Sequence, residues 1–358
     1  MSQLQESSNL RRLPLLKGSH RISTSTLPEL VQETFHALGY HTVEQVLSVL
    51  QLFGHELDER LGLPVSQIIA EQFAGIAPPQ APFAVRSARY RHGARLRQPA
   101  QAILPAALPP PPATAAALPS ANPGDADVNL IPEMQAIRDQ AYRGTCVGFA
   151  SVACLEHALF KSRRDQIALS EQFAYWNDKQ HDGISNQPGT FLEYAMPLLQ
   201  TDGTCLDNTW PYVRNDIAGN EGQDPPPAGA ATEALSYRAT AVNMLDCADI
   251  SQIKAELDQG RCVAVAVAYF RDSWETDEIR NSGRVTLPFP GTVTHEGHAV
   301  CLVGYQDLPD DAPNGYGRFL LRNSWNGYWA VAGEFGVGYG SMPYSYLTTY
   351  GHEAYSLE

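Results

Sequence analysis

The sequence predicts an α+β protein in which helices come first and strands come second. Residues 242–355 alternate apolar runs with glycine and proline turns, a pattern typical of β-strands. Residues 26–73 instead carry apolar side chains at helical spacing, ahead of a stretch rich in alanine and proline. We therefore expect a small all-helical module in front of a larger α+β domain. A chain of 358 residues is long enough to form both cores.

Residues 25–76 are predicted to form the helical module. The expected helices run from the capping-box sequence Thr26-Leu-Pro-Glu29 to Gly39, from Thr42 to about Gly54, through Leu57 and Leu61, and from Val65 to Phe73. A weak repeat, offset by 23 residues, resembles the paired helices of helix-hairpin-helix modules. His41 stands where such a hairpin has its second glycine, and no basic cluster surrounds it. The pattern favours a packing role over DNA binding.

Two further stretches flank this module. Residues 1–24 are predicted to be a flexible polar tail, and residues 77–124 a linker or pro-segment rich in proline, alanine and arginine. Pro109–Pro112 is typical of a semi-rigid polyproline spacer. Residues 86–97 contain no acidic residue and five arginines, namely Arg86, Arg89, Arg91, Arg95 and Arg97. This run is either a solvated, disordered stretch or a segment that docks on the larger domain, where it occludes a cleft or marks a cleavage site.

The charge of the chain is unevenly distributed. The formal net charge is −14, with +2 on residues 1–124 and −16 on residues 125–358. So acidic a domain argues against nucleic acid as a partner and would attract a basic segment of its own chain.

No apolar run reaches the ~18 residues of a membrane span, and the first residues lack the apolar core of a secretory signal. We expect a monomer that is cytoplasmic or exported by a leaderless route.

Cys146 stands out among the six cysteines because of the residues that surround and follow it. Gln140 precedes it by six residues, and His298 and Asn323 follow far downstream in distinctive contexts. A cysteine with a distant histidine and asparagine fits a thiol nucleophile, its base and the group that orients the base. Each residue alone would more often be structural. Their joint occurrence favours a catalytic site.

These segments resemble those of the papain-like (C1) cysteine peptidases, particularly the bacterial members. Four further segments carry the resemblance: Leu169-Ser-Glu-Gln172, Pro188-Gly189-Thr-Phe191, Trp210-Pro-Tyr212 and the stretch from Gly336 to Tyr346. Together they place a papain-like domain at residues 125–358. The resemblance implies a two-lobed fold, with a helical left lobe, a β-barrel-like right lobe and the active cleft between them.

The resemblance also implies the role of each catalytic residue. Cys146 would be a thiolate paired with a His298 imidazolium, and the backbone N–H of Cys146 and the amide of Gln140 would bind the oxyanion. Asn323 would accept a hydrogen bond from the imidazole, and Trp325 would cover that bond. Secreted members of the family usually have a cysteine three residues before the nucleophile, where this chain has Arg143. We therefore expect a reducing compartment and no disulfide framework.

Four residues are expected to bind substrate. Gly189 would pair its backbone with the substrate chain, because glycine permits a close approach. Ala266, Glu296 and Ala299 align with the main specificity pocket of the family. The Glu296 carboxylate would either favour basic side chains at the pocket rim or point to solvent.

No cofactor or metal is expected. His295-Glu-Gly-His298 is too short for the His-Glu-x-x-His zinc pattern, Cys154 and His157 are read as one face of a helix, and no phosphate loop or dinucleotide fingerprint occurs. The predicted function is therefore a cysteine endopeptidase for protein or peptide substrates, regulated or targeted by its N-terminal region. Two alternatives stay open: a peptide-binding module without the reaction, and an acyl transferase that uses the same thioester.

Overall fold

A computed structural model describes most of the chain, namely residues 20–22, 25, 27, 29–61, 64–77, 80–82, 84–85, 90–103, 127–223, 225–307 and 317–358. Residues 1–19 of the predicted tail, the polyproline run, Arg86 and Arg89 lie outside the described residues. No helix in the described part is both long enough and apolar enough to cross a membrane.

The order of helices and strands agrees with the predicted α+β class. The helices are α1 Glu29–Ala37, α2 Val43–Leu61, α3 Val65–Gln72, α4 Cys146–Arg163, α5 Glu171–His181, α6 Leu192–Thr201, α7 Ala230–Ala234, α8 Ile250–Asp258, α9 Arg271–Trp274, α10 Asp277–Ser282 and α11 Tyr344–Tyr350. The strands are β1 Ala100–Gln101, β2 Val128–Asn129, β3 Val242–Leu245, β4 Val263–Ala268, β5 Val293–Thr294, β6 Gly297–Asp307, β7 Gly317–Arg322, β8 Tyr339–Pro343 and β9 Gly351–Leu357.

The N-terminal module has one helix fewer than predicted. α1 and α3 confirm two of the expected helices, but the second and third are a single helix, α2, that continues through Gly54. Glycine in a helix interior costs about 1 kcal/mol, which favours the predicted break. Here α3 packs against α2 at this point, and a Cβ at residue 54 would lie 3.6 Å from the Cβ of Ser66. We attribute the continuity of α2 to this packing.

The module packs on the strand-rich half of the chain. Phe35 and Tyr40 contact the ring of Phe289, with ring centroids 6.3 and 5.6 Å away. The N–H of Leu287 donates to the carbonyl of Leu38 at 2.9 Å. Buried side chains of the module and of both lobes join in one large apolar core, and a second small cluster lies around Phe173 and Trp210. This agrees with the packing role that the sequence favoured.

The right lobe is an open antiparallel sheet. Its strand order is β3-β9-β4-β6-β7-β8, with β2 added to β6, and the sheet is not closed as a barrel. The β-barrel-like expectation is corrected in this respect. The outer edge of β8 is occupied by the backbone of residues 283–285, since Ser341 exchanges hydrogen bonds with Gly283 and Val285. β8 is therefore not available to pair with β3.

The sheet and the longest left-lobe helix bring the predicted catalytic residues together. Cys146 opens α4, which is buried along most of its length and packs against β6. His298 is the second residue of β6, and Asn323 directly follows β7, the neighbour of β6. The start of one helix thus meets two adjacent strands at the boundary of the lobes.

Candidate active site

Cys146 lies completely buried at the first position of α4. The side chain of Thr145, which precedes the helix, does not cap it, so the unpaired N–H groups of the first turn are free to favour negative charge. The Cys146 sulfur accepts the N–H of Ala299 at 3.4 Å and the N–H of Gly93 at 3.2 Å. One of these donors comes from the right lobe and the other from the N-terminal region.

His298 is held by the two partners that the resemblance implies. Its Nε2 lies 2.9 Å from Oδ1 of Asn323, and the Trp325 ring stacks on the imidazole with centroids 4.8 Å apart. Nδ1 makes no hydrogen bond among the described residues. The Asn323 contact fixes the ring and leaves Nδ1 as the nitrogen for proton transfer.

Gln140 is fully buried, and its amide is held in one orientation. Oε1 accepts the hydroxyl of Ser324 at 2.6 Å, so the Nε2 group must be the donor. Nε2 donates to the carbonyl oxygens of Arg143 and Arg91, each at 2.9 Å. The group expected to bind an oxyanion therefore already binds a backbone carbonyl of the N-terminal region.

Burial disfavours charge on both members of the catalytic pair. Burial raises the pKa of the Cys146 thiol, although backbone N–H groups oppose the shift. Burial also lowers the pKa of the His298 imidazole to about 4, opposed by the Asn323 hydrogen bond. The sequence predicted a thiolate–imidazolium pair, whereas this covered arrangement favours a neutral thiol and a neutral imidazole. Hydration of the cleft would reverse both shifts.

Residues 90–103, here called the cleft segment, run between the two lobes. The N–H of Thr190 donates to the carbonyl of Gly93 at 2.8 Å, and the N–H of Arg95 donates to the carbonyl of Thr190 at 2.9 Å. The N–H of Ala94 donates to the carbonyl of Gly297 at 3.2 Å. Ala94 thus pairs parallel to Thr190 and antiparallel to Gly297, so the segment binds both walls of the cleft.

Two aromatic side chains of the cleft segment cover the catalytic residues. Tyr90 stacks on Trp325 with centroids 4.9 Å apart, and its hydroxyl donates to the Trp325 carbonyl at 3.1 Å. His92 stacks on Tyr269 at 3.5 Å and lies edge-on to His298 at 5.7 Å. Burial also lowers the pKa of His92, so this imidazole is neutral as well.

The described arginines of the cleft segment contact polar groups of the left lobe. Arg91 pairs with Asp216 at 2.7 Å, and Arg97 pairs with Glu193. Arg95 donates to the side-chain carbonyl of Gln187 at 2.6 Å. These contacts are partly exposed, so each contributes at most about 1 kcal/mol.

Thr190, rather than Gly189, presents its backbone to the cleft. The Gly189 N–H donates to the Tyr175 hydroxyl at 2.9 Å, and the Gly189 carbonyl accepts from the Lys179 ammonium at 2.8 Å. Both polar groups of Gly189 are thus engaged away from the cleft segment. Gly189 still needs to be glycine, because its φ is +84° and a Cβ would lie 2.5 Å from the Gly93 carbonyl oxygen.

The structure brings two of the three expected pocket residues together. Ala266 and Ala299 face each other across β4 and β6 and are fully buried. The Glu296 side chain is 61% exposed and lies 3.8 Å from the His92 imidazole, which places it at the rim. Sequence reasoning missed Glu353, which lies opposite Ala266 on β9 and whose carboxylate accepts two N–H groups at the start of α6.

Arg143 has a larger role than its position in the sequence indicated. Its buried guanidinium donates to Oε1 of Gln172 and to the carbonyls of Val213 and Glu221, at 2.7, 2.8 and 2.7 Å. It therefore ties the loop before Cys146 to the left lobe. In the sequence, the one sign that this position is unusual was an arginine three residues before Cys146, where secreted members of the family usually have a cysteine.

The remaining cysteines form no recognised metal site. All six cysteines are free thiols, and the Cys154 sulfur lies 3.5 Å from that of Cys301. Within the described ranges, no group of three or more histidine, cysteine, aspartate or glutamate residues is placed to hold a metal ion. His157 contacts Glu133 at 3.0 Å rather than Cys154.

Comparison with known protein families identifies the domain. The model of the papain family cysteine protease matches residues 123–346, more than half of the chain. The chain belongs to the papain family. Its matched part is therefore a cysteine peptidase domain, as the resemblance implied. The narrower likeness to bacterial members stays a prediction.

Individual relatives are distant. An uncharacterized peptidase C1-like protein, L477, of Acanthamoeba polyphaga mimivirus is 25% identical over 232 residues, which are 61% of this chain and 67% of that protein. Peptidase 1 of Dermatophagoides farinae is 25% identical over 217 residues, 61% of this chain and 60% of that one. The crystal structure of xylellain, a cysteine protease from Xylella fastidiosa, aligns with a TM-score of 0.54 at 24% identity, covering 64% of this chain and 85% of that chain. This last likeness supports the fold.

Proposed function

We propose that the chain is a cysteine endopeptidase whose cleft segment keeps it inactive until the segment is displaced. The observation that carries the proposal is the placement of Gly93. Its N–H faces the nucleophilic sulfur at 3.2 Å, while its carbonyl pairs with Thr190. The substrates would be proteins or peptides, bound in the position that the segment occupies.

The catalytic residues account for both halves of a hydrolysis. With the cleft open, the Cys146 thiolate attacks a peptide carbonyl, and the N–H of Cys146 and the Nε2 group of Gln140 bind the resulting oxyanion. The His298 imidazolium gives its proton to the leaving amine, which yields a thioester. His298 then takes a proton from water, which attacks the thioester and releases the acid. Asn323 keeps the ring in place throughout.

The cleft segment is poorly placed to be cleaved. The atom that faces the sulfur is an amide nitrogen of Gly93, not a carbonyl carbon. The carbonyl that occupies the Gln140 donor belongs to Arg91, two residues earlier. Nucleophile and oxyanion donor therefore contact different peptide groups, which supports inhibition rather than turnover in this arrangement.

The helical module supports the regulatory interpretation over a purely targeting one. It packs on the right lobe through Phe35, Tyr40 and the backbone of Leu38. Arg280 of the right lobe also bonds the carbonyl of Val85, five residues before the cleft segment. Both ends of the segment are anchored, since Ala102 exchanges hydrogen bonds with residues 291 and 292.

A mass-spectrometric assay tests the reaction. The chain carrying Gly93→Ala, in which the new Cβ would overlap the Gly144 carbonyl and displace the segment, is incubated with peptides blocked at both ends. In ¹⁸O-labelled water, endopeptidase activity puts one heavy oxygen into the new carboxyl group. Cys146→Ala in the same background should abolish the product.

Other outcomes identify the alternatives. A product that carries an added amine, such as glycinamide, in place of the heavy oxygen would make the chain an acyl transferase. Tight binding of peptides by a folded variant without any product would favour the peptide-binding module and overturn the proposal.

A further inference from the structure

Lys179, near the end of α5, is a buried cation behind the left wall of the cleft. Its side chain is 1% exposed. The ammonium donates to Oδ2 of Asp182 at 2.6 Å and to the carbonyl of Gly189 at 2.8 Å. One amino group thus connects the end of α5 to the loop that precedes α6.

Tyr175, one turn earlier on α5, completes the hold on Gly189. Its hydroxyl accepts the Gly189 N–H at 2.9 Å. Two cations lie near the Tyr175 ring, with the Lys179 ammonium 5.9 Å and the Arg143 guanidinium 5.4 Å from its centroid. The N–H and the carbonyl of Gly189 are therefore both fixed from the side away from the cleft.

Holding Gly189 in this way determines how the next residue, Thr190, presents its backbone to the cleft. With Gly189 held at a φ of +84°, the N–H and carbonyl of Thr190 bond an extended chain in the cleft, here Gly93 and Arg95. A buried ammonium is costly unless it is paired and hydrogen-bonded, and an apolar side chain would fill the same space at lower cost. The hydrogen bond from the Lys179 ammonium to the Gly189 carbonyl gives a reason for a cation at this position.

We propose that Lys179 and Tyr175 are positioning residues that hold the Gly189 peptide so that Thr190 binds the backbone of an extended peptide substrate. The inference deepens the proposed function and rests on it. Because the ligand is a peptide backbone, the effect is independent of substrate side chains. Neither residue touches the reacting atoms.

The kinetic test replaces Lys179 by methionine in the Gly93→Ala chain. We expect KM for peptides to rise roughly tenfold, as for the loss of one or two hydrogen bonds, with kcat within about twofold. The rate of Cys146 alkylation by iodoacetamide should stay within about twofold, because so small a reagent does not use Thr190. Tyr175→Phe should raise KM by a smaller factor.

Variants separate positioning from stability. Lys179→Met strands the Asp182 carboxylate in the interior and lowers Tm, whereas adding Asp182→Asn removes that charge. The double variant should regain Tm and keep the high KM. Lys254→Met is the matched control, since Lys254 pairs with Asp307 at the far end of β6 and its loss should leave KM unchanged.

Amide exchange gives a readout that needs no activity. In the chain with an intact Gly93, Lys179→Met should speed exchange in residues 186–192 about tenfold and leave residues 299–304 unchanged. If no variant hydrolysed peptides, the proposed function would fail while exchange still decided the role of Lys179. Unchanged exchange together with unchanged KM would reduce Lys179 to a packing residue and overturn the inference.

Discussion

Replacing Gly93 by alanine perturbs the cleft segment at its tightest contact. A Cβ at this position would overlap the carbonyl of Gly144, in the loop just before the nucleophile. The backbone around Gly93 would have to move, although its N–H bonds the Cys146 sulfur and its carbonyl bonds Thr190. The substitution adds one methyl group and removes no side chain.

The expected size of the effect follows from these contacts. Overpacking a tight contact costs about 1–3 kcal/mol, and each backbone hydrogen bond that is lost costs about 1 kcal/mol. A total of about 2–4 kcal/mol shifts the balance from covered to open cleft by roughly 30- to 1,000-fold. Access to Cys146 should increase in proportion until the open form predominates.

The assay compares second-order rates of iodoacetamide addition to Cys146, read by peptide mapping at one pH because the chain has six free thiols. We predict that Gly93→Ala reacts at least about tenfold faster than the unaltered chain. Gly75→Ala is the control, because a Cβ there meets nothing within 4 Å. Equal rates in Gly93→Ala and the unaltered chain, with an unchanged Tm, would refute the view that the cleft segment limits access to Cys146.

Three further predictions concern charge, catalysis and stability. Burial holds the pKa of His298 at about 4, below its ordinary 6.5, so the covered arrangement is fully stable above pH 6.5 and weakens as pH falls toward 4. Between pH 7.5 and 5, the opening equilibrium should increase at least roughly 30-fold, measured in Cys146→Ala as the protection factors of amides 90–97, and protection factors that stay constant with pH would contradict it. Gln140→Ala removes one oxyanion donor, so kcat for peptides should fall about 10²- to 10³-fold in the opened chain; an unchanged kcat would exclude that role. Arg143→Met removes three hydrogen bonds made by a buried guanidinium and should lower the free energy of unfolding by about 2–4 kcal/mol in urea titrations, whereas exposed Arg238→Met should not.

The candidate catalytic residues could be selected from the sequence because each has a distinctive local context. Cys146, His298, Asn323 and Gln140 are recognisable from their neighbours and their order in the chain. The structure places Cys146 at the start of one helix, Gln140 in the loop before it, and His298 and Asn323 at the ends of two adjacent strands. Recognising these residues in the sequence does not require knowledge of how distant segments pack.

The side chains that hold the Gly189 peptide could not be predicted in the same way. Lys179 and Tyr175 look like ordinary positions of a polar helix, and only the fold brings them to Gly189. The assignment of backbone pairing to Thr190 depends on those two contacts. Sequence patterns record periodicity, not the partner of an individual N–H group.

The position of the cleft segment could not be predicted from the sequence either. The arginine run at residues 86–97 and the acidic domain left two interpretations open, because charge gives attraction without a register. The register depends on Gly93 fitting against Gly144 and on pairing with both walls. Burial in this arrangement disfavours charge on Cys146 and His298, and the ion pair stays a prediction for an open cleft.

Peptide mapping after treatment with an active-site-directed epoxide would show whether Cys146 is the reactive thiol and whether the cleft segment restrains it. Cys146 is one of six free thiols, and Cys247 is the most accessible of them. We predict a single adduct on Cys146, formed slowly in the unaltered chain and quickly in Gly93→Ala. An adduct on Cys247 instead, or none on Cys146 in the opened and folded chain, would contradict a thiolate nucleophile beneath a displaceable segment.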